Sequence, residues 1–304
     1  MKTKLLLVEK LDNSPVERAP LLSPYWSCFH NLVFILQDAF DLYSCGYHYD
    51  GRIEVNFDAT LRLVYGGIKE WFPRPIIFIP DHSAMYDITE LNTVDAVIAN
   101  NPVTARDAQI FGKPCLYFYL PVFLEAFRNI QWTGHREYEK LLVFNKSLND
   151  ILEPVKALFA TGFNILTYTH AADEINSVWL EVCSLLKNVI VINHTTWEDF
   201  ASITYSKFGV CNIYRPITVG RIATMSAFAK SISIGYPQSY NEYLYPYLTS
   251  FDWEVLSQRL LEVYENRELY NEIADYAHGR LLELDVSNTK RNHQLIDFIR
   301  GQLP

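Results

Sequence analysis

Three groups of residues in this 304-residue chain have the types and spacing for chemistry. The first is Asp81-His82-Ser83, directly after the apolar run Pro75–Pro80. A carboxylate at the end of a buried strand can take the proton of an attacking hydroxyl, and a neighbouring histidine can hold or relay it. The same residue types also cap helices and shape strand-to-helix loops, so a plain turn is the competing reading. The second group is Arg215-Pro216-Ile217-Thr218-Val219-Gly220-Arg221. It joins an expected strand to an expected helix, and Pro216 suits a helix start. Free amides there, with two guanidinium groups, suit a diphosphate; the alternative is a pair of solvated surface cations. The third group gathers other strand ends: Lys146-Ser147, His170 and His194-Thr195-Thr196-Trp197. Lys146 and Ser147 can offer a cation and an amide to the same phosphates. Backbone groups around Thr195 can read a nucleobase, and His170 joins the group by position. Helix capping with exposed neighbours is the structural alternative for these segments.

The elements that must position these residues alternate. Leu5–Val8 reads as a buried strand, Leu11–Pro24 as a proline-rich loop and Trp26–Leu42 as a helix. Ile53–Phe57 reads as a strand and Ala59–Phe72 as a helix. Pro75–Pro80, Ala96–Ala99 and Leu116–Leu120 follow as strands, with a helix over Val103–Phe111. Fully apolar strands bounded by turn residues are those of a parallel sheet covered on both faces. From Lys140 onward a second series begins. Its strands are expected at Leu141–Phe144, Asn164–Tyr168, Val189–Ile192, Gly209–Tyr214 and Ser231–Ile234. Its helices are expected at Leu148–Thr161, Asn176–Leu186, Thr196–Lys207 and Thr218–Ala229, and Asp252–Ile299 is helix-rich. The expected architecture is α/β: two Rossmann-like domains, 1–135 and 136–304, facing across a cleft. Ligands of such sheets sit at the carboxyl ends of the strands.

Composition narrows the classes. The net charge of −9 gives no global attraction to nucleic acid or anionic lipid. The glycine-free segment Glu9–Pro24 after the first strand carries neither a dinucleotide fingerprint nor a P-loop. Five widely spaced cysteines and eight histidines show no metal-ligand spacing, and reduced cysteines suit a cytoplasmic protein. No run reaches membrane-spanning length. The tyrosine-rich stretch Tyr236–Tyr247 reads either as an aromatic platform for an acceptor or as a packed loop.

In ordered pieces covering about half of the chain, the sequence resembles GT-B glycosyltransferases, and among them the T-even phage DNA glucosyltransferases. The run Ile217–Ala227 resembles the donor-binding helix of the β-enzyme, and Asp81-His82-Ser83 the Asp-His-Ser segment of the α-enzyme. Val94–Ala108 resembles the family's strand–helix unit, and Asn266–Tyr270 the start of its C-terminal helices. The resemblance implies a hexosyl- or pentosyltransferase using a UDP-sugar, with Asp81 as base and the Thr218–Arg221 loop on the diphosphate. It implies no permanently bound cofactor and leaves a divalent metal open. Its acceptor would be a hydroxymethylated pyrimidine in double-stranded DNA, flipped out of the helix. Arg52, Arg62, Lys69, Arg74, Arg106, Lys113, Arg128 and Arg136 are the cations available to hold such DNA. Two departures stand out: Ala223 and Arg215 occupy positions where many of these enzymes carry glutamates. The alternatives are a glycan, lipid or protein acceptor, or a non-catalytic protein that binds a nucleotide-sugar.

Overall fold

The structure, a computed structural model, describes residues 2–10, 12–22, 28–49, 51, 55–63, 71–80, 87–128, 136–144, 157, 161–162, 164–168, 189–192, 202, 204, 207–212, 221–237 and 239–304. The chain forms two compact units: Met1–Phe123 with Leu284–Pro304, and Leu124–Glu283. The sequence suggested a division into 1–135 and 136–304; here the first boundary falls after Phe123, and residues 284–304 group with the first unit.

The first unit is built on a seven-stranded sheet. Its strands are β1 (Lys4–Lys10), β2 (Glu17–Arg18), β3 (Asp41–Gly46), β4 (Ala59–Arg62), β5 (Ile76–Phe78), β6 (Ala96–Ala99) and β7 (Cys115–Tyr117). The order is β2-β3-β1-β4-β5-β6-β7, parallel throughout except for β2, which runs antiparallel to β3. Leu5, Leu6, Leu7 and Val8 of β1 are all buried, as a central parallel strand covered on both faces requires. Helix α1 (Cys28–Leu36) precedes β3, and α2 (Pro102–Ile110) links β6 to β7. Asn101 caps α2, accepting from Thr104 N at 2.9 Å, with Pro102 at the first helical position.

Two sequence expectations are corrected here. Residues 59–62, expected to open a helix, form β4, because Ala59, Thr60, Leu61 and Arg62 are all buried and their backbone pairs with β1 and β5. The helix expected to run to Leu42 ends at Leu36; Asp38 to Phe40 turn the chain, and Asp41 and Leu42 open β3.

The second unit opens with α3 (Glu125–Arg128) and carries a five-stranded, wholly parallel sheet. Its strands are β8 (Glu137–Phe144), β9 (Asn164–Tyr168), β10 (Val189–Ile192), β11 (Lys207–Asn212) and β12 (Ile232–Gly235), in the order β10-β9-β8-β11-β12. Numbered within the unit this is 3-2-1-4-5, the doubly wound order of nucleotide-binding folds. Helix α4 (Arg221–Phe228) leads into β12, and Ile222 to Ala227 are all buried, so the helix runs through the interior. Helices α5 (Ser239–Leu244), α6 (Trp253–Glu265) and α7 (Arg267–Leu282) complete the unit. Asp252 and Asn266 cap α6 and α7. Arg136 anchors the entry to β8, donating to the carbonyls of Ala229 at 2.6 Å and Lys230 at 2.7 Å and to the Tyr270 hydroxyl at 2.9 Å.

The chain then returns to the first unit. Val286 N donates to Val122 O at 2.9 Å, and α8 (Thr289–Gln302) buries Leu295, Ile296 and Ile299. Each such side chain contributes roughly 1.5–3 kcal/mol of burial. Among the described residues no helix is long and apolar enough to cross a membrane.

Candidate functional site

The donor-side candidates each follow, in sequence, a strand of the second sheet. Phe144, Tyr168, Ile192, Asn212 and Gly235 end the five strands, and these ends lie in register across the sheet. The strand order reverses between β8 and β11, where a crevice for a ligand opens in folds of this order. Phe144 and Asn212 are register partners across that switch point. Lys146-Ser147 follows Phe144 in the chain, and the segment from Arg215 to Arg221 follows Asn212. His170 follows Tyr168, and Thr195 follows Ile192. Every donor-side candidate thus follows, in the chain, a strand that ends at this edge.

Lys146, Ser147, His170, Thr195, Arg215, Thr218, Val219 and Gly220 themselves lie outside the described residues. Arg221 is the first residue of α4, so the amino end of that helix follows the switch-point strand. Such a terminus presents unpaired N–H groups and the positive end of the helix dipole.

Two residues not singled out from the sequence shape this edge. Asn212 is buried at the end of β11. Gly235 lies against it so closely that a Cβ at that position would stand 2.3 Å from the Asn212 carbonyl oxygen. Only glycine permits that approach. The end of β12 is held further by an isolated bridge between Gly235 and Thr249, with Thr249 Oγ1 donating to Tyr245 O at 2.8 Å. Beneath the edge, Cys211 is fully buried, and burial pushes its thiol well above the ordinary range.

In the first unit the candidate base and its neighbour, Asp81 and His82, also lie outside the described residues. The chain leading to them is tightly fixed. Ile79 and Pro80 extend β5, and Ile79 N donates to Arg62 O at 2.9 Å. Pro80 O accepts from Asn100 Nδ2 at 2.9 Å, and Asn100 Oδ1 accepts from Asn101 Nδ2 at 2.9 Å. Both asparagines are buried at the end of β6. The residue before Asp81 is therefore clamped to the neighbouring strand end by a satisfied polar chain. Below it, the guanidinium of Arg62 pairs with Glu90 and lies 4.3 Å from the centre of the Phe78 ring. Burial lowers the Arg62 pKa from its ordinary value, opposed by Glu90. The Asn100-Asn101 pair after a buried apolar run was the available sequence signal for this clamp.

Among the described residues, the cations considered for DNA have partners within the protein. Arg62 pairs with Glu90, Arg74 Nη1 contacts both carboxylate oxygens of Asp95, Arg106 pairs with Asp107 and Arg128 pairs with Glu125. Arg136 is spent on backbone carbonyls, and Lys113 Nζ lies 3.3 Å from Asn92 O. Arg52 and Lys69 lie outside the described residues. The tyrosine-rich stretch is packed: Tyr236, Tyr240 and Tyr245 are buried, and the Tyr245 hydroxyl donates to Ser231 O at 2.9 Å. These three serve the core of the second unit, while Tyr243 and Tyr247 are partly exposed and donate to Glu283 and Glu262. No group of three or more His, Cys, Asp or Glu among the described residues is arranged to hold a metal ion.

No protein-family model matches the chain, and no curated protein matches it in sequence. Solved structures match along its length. One is AviGT4, a glycosyltransferase involved in avilamycin A biosynthesis, at 13% identity and a TM-score of 0.64, covering 99% of this chain and 98% of that one. Another is sucrose-phosphate synthase from Thermosynechococcus elongatus, at 9% identity and a TM-score of 0.62, covering 99% of both chains. A third is the pneumococcal O-GlcNAc transferase GtfA in complex with UDP and GlcNAc, at 9% identity and a TM-score of 0.53, covering 74% of this chain and 52% of that one. The fold is therefore the mixed α/β, parallel-sheet fold of GT-B glycosyltransferases.

Proposed function

We propose that the chain is a glycosyltransferase that takes its sugar from a UDP-sugar bound at the carboxyl edge of the second sheet. The register partnership of Phe144 with Asn212 carries this reading, because it starts two cation-bearing segments side by side at the switch point. The fold shared with glycosyltransferase structures supports it, and GtfA is one such neighbour solved with UDP.

In the reaction the acceptor oxygen bonds to the anomeric carbon of the sugar while the bond from that carbon to the diphosphate oxygen breaks. Asp81 takes the acceptor proton, with His82 beside it in sequence. Negative charge grows on the departing diphosphate, where Arg215, Arg221, Lys146 and the amides of residues 218–220 stabilise it. Thr195 and His170, which follow β10 and β9 in the chain, serve the nucleoside. The Asn100 clamp on Pro80 fixes where the Asp81 segment begins.

For the acceptor the first reading is a hydroxyl compound other than DNA. Duplex binding draws most of its affinity from cations on phosphates, and the net charge of −9 supplies no general attraction to them. A hydroxymethylated pyrimidine, the finer acceptor that the sequence resemblance raises, is the second reading.

Purified protein incubated with UDP-glucose, UDP-galactose and UDP-N-acetylglucosamine should release UDP with at least one of them. Asp81→Asn should lower turnover by orders of magnitude while sparing UDP affinity, and Arg221→Ala should weaken UDP binding. No UDP release, together with no UDP-induced rise in melting temperature, would overturn the proposal. Binding to a hydroxymethylated duplex that falls steeply with salt would favour the second reading.

A further inference from the structure

The first unit carries an apolar cavity and, beside it, an exposed apolar side chain; the reaction described above uses neither. The cavity, of about 400 Å³, lies between α1 and α8. Phe34 and Ile35 wall it on the α1 side, Val286 and Ile296 on the α8 side, and all but Phe34 are buried. Its frame is fixed, since Asn292 Nδ2 donates to Val286 O at 2.8 Å and Val286 N to Val122 O at 2.9 Å. Leu21 is 87% exposed. Its backbone is pinned on both sides: Ala19 N donates to Leu42 O at 2.9 Å, and the Gln37 side chain bonds Leu22 N at 2.8 Å and Leu22 O at 2.9 Å. Gln37 continues α1, donating its N–H to Val33 O at 3.1 Å, and lies in the chain between Phe34 and Asp38, which both line the cavity. Leu21 is thus a rigid knob mounted next to a rigid hole.

The charges around the cavity carry opposite signs on the two helices. Asp38 is exposed just past the end of α1, and Lys290 is exposed in the first turn of α8. Neither has an ion-pair partner among the described residues. The arginines of α8 are turned elsewhere, Arg291 to the Tyr119 carbonyl and Arg300 to Asp297. A face with one sign of charge would repel its own copy; this one complements itself. A two-fold axis between knob and hole sets α1 of one copy against α8 of the other, acid opposite base, and fills both cavities at once. We propose that this face joins two copies of the chain in an isologous dimer. Leu21 of each copy sits among Phe34, Val286 and Ile296 of the other, and Asp38 pairs with Lys290 across the axis. An apolar anchor in a desolvated pocket, ringed by charges that set orientation, is the usual plan of such contacts. The proposal is independent of the glycosyltransferase reading.

Sedimentation velocity on the full chain tests this, between about 1 and 100 μM, with wild type, L21D, D38K, K290D and D38K/K290D. Wild type should pass from monomer to dimer as concentration rises. L21D should raise the dimer dissociation constant at least about a hundredfold, because both leucines lose their pockets together. D38K and K290D should each raise it about tenfold by setting like charges opposite one another. The double variant restores opposite signs, and should return the constant to within about threefold of wild type. The altered side chains are exposed, so the monomers should all melt alike. A wild type that stays monomeric at about 100 μM would overturn the proposal. So would an L21D dimer as tight as that of wild type, or a double variant no tighter than the single ones. Cosedimentation of monomeric wild type, but not L21D, with phosphatidylcholine vesicles would also overturn it and give the face to a lipid surface. None of these readouts involves UDP, so their failure leaves the donor reading standing.

Discussion

Replacing Gly235 by alanine probes the donor edge through its tightest contact. The added Cβ would stand 2.3 Å from the carbonyl oxygen of Asn212, whereas a carbon–oxygen contact between strands settles at about 3.3 Å. The ends of β11 and β12 must therefore part by about 1 Å. The obstructing atom is backbone, so no flexible side chain can give way. Overpacking of this kind costs about 1–3 kcal/mol, which for a unit of this size lowers the melting temperature by roughly 2–12 °C. The displacement falls where the chain leaves β11 toward Arg215 and Arg221. A misplacement of about 1 Å at a reacting site costs on the order of a hundredfold in rate. Differential scanning calorimetry and UDP titration of G235A should thus show a lowered melting temperature and weakened UDP binding together. Gly279→Ala supplies the control. Gly279 is exposed inside α7 and its Cβ would meet nothing within 4 Å, so alanine there should stabilise by about 0.5–1 kcal/mol and leave UDP affinity unchanged. A G235A protein with the melting temperature and UDP affinity of wild type would refute the close approach and the placement of the donor beside it.

Asn100→Ala removes the donor to Pro80 O and an acceptor of Asn101, both buried. It should cost about 1–3 kcal/mol in urea unfolding, and lower turnover more than UDP affinity, since the clamp precedes Asp81; an unchanged turnover would release Asn100 from positioning. Glu242 on α5 is half-buried, one of its oxygens is buried without a hydrogen-bond partner, and burial raises its pKa. For an acid raised on folding, the native state holds its proton to higher pH than the unfolded chain does. Stability is therefore lost as pH climbs from the unfolded value of about 4.3 through the folded one, and the loss persists above it. Glu242→Gln should be more stable than wild type at pH 7 and equal to it below about pH 4; equal melting temperatures at both would contradict the burial penalty.

Strands flanked by punctuation were legible in the sequence. Ile76–Phe78 lies between prolines, and Asn164–Tyr168 and Val189–Ile192 stand as expected to the residue. Ala59–Arg62 was not, because a short stretch buried on all sides shows no period of two and its apolar spacing also fits a helix. Sheet order was invisible, since it depends on which strand ends meet in space. Without it, Lys146-Ser147 and Arg215–Arg221 could be assigned to the same phosphates only because both follow strands, not because β8 and β11 are neighbours at the switch point. The return of α8 to the first unit was hidden for a similar reason: the stripe of Leu295, Ile296 and Ile299 announces a buried face but not its partner. The tyrosine stretch shows the same limit: composition fits an exposed platform as well as a packed loop, and only burial shows that Tyr236, Tyr240 and Tyr245 fill a core.

Hydrogen exchange with and without UDP tests the donor site most directly. Slower exchange confined to the segments after β8 and β11, residues 145–150 and 213–224, with the first unit unchanged, is the expected result. Protection elsewhere, or none at saturating UDP, would contradict a diphosphate held at the carboxyl edge of the second sheet.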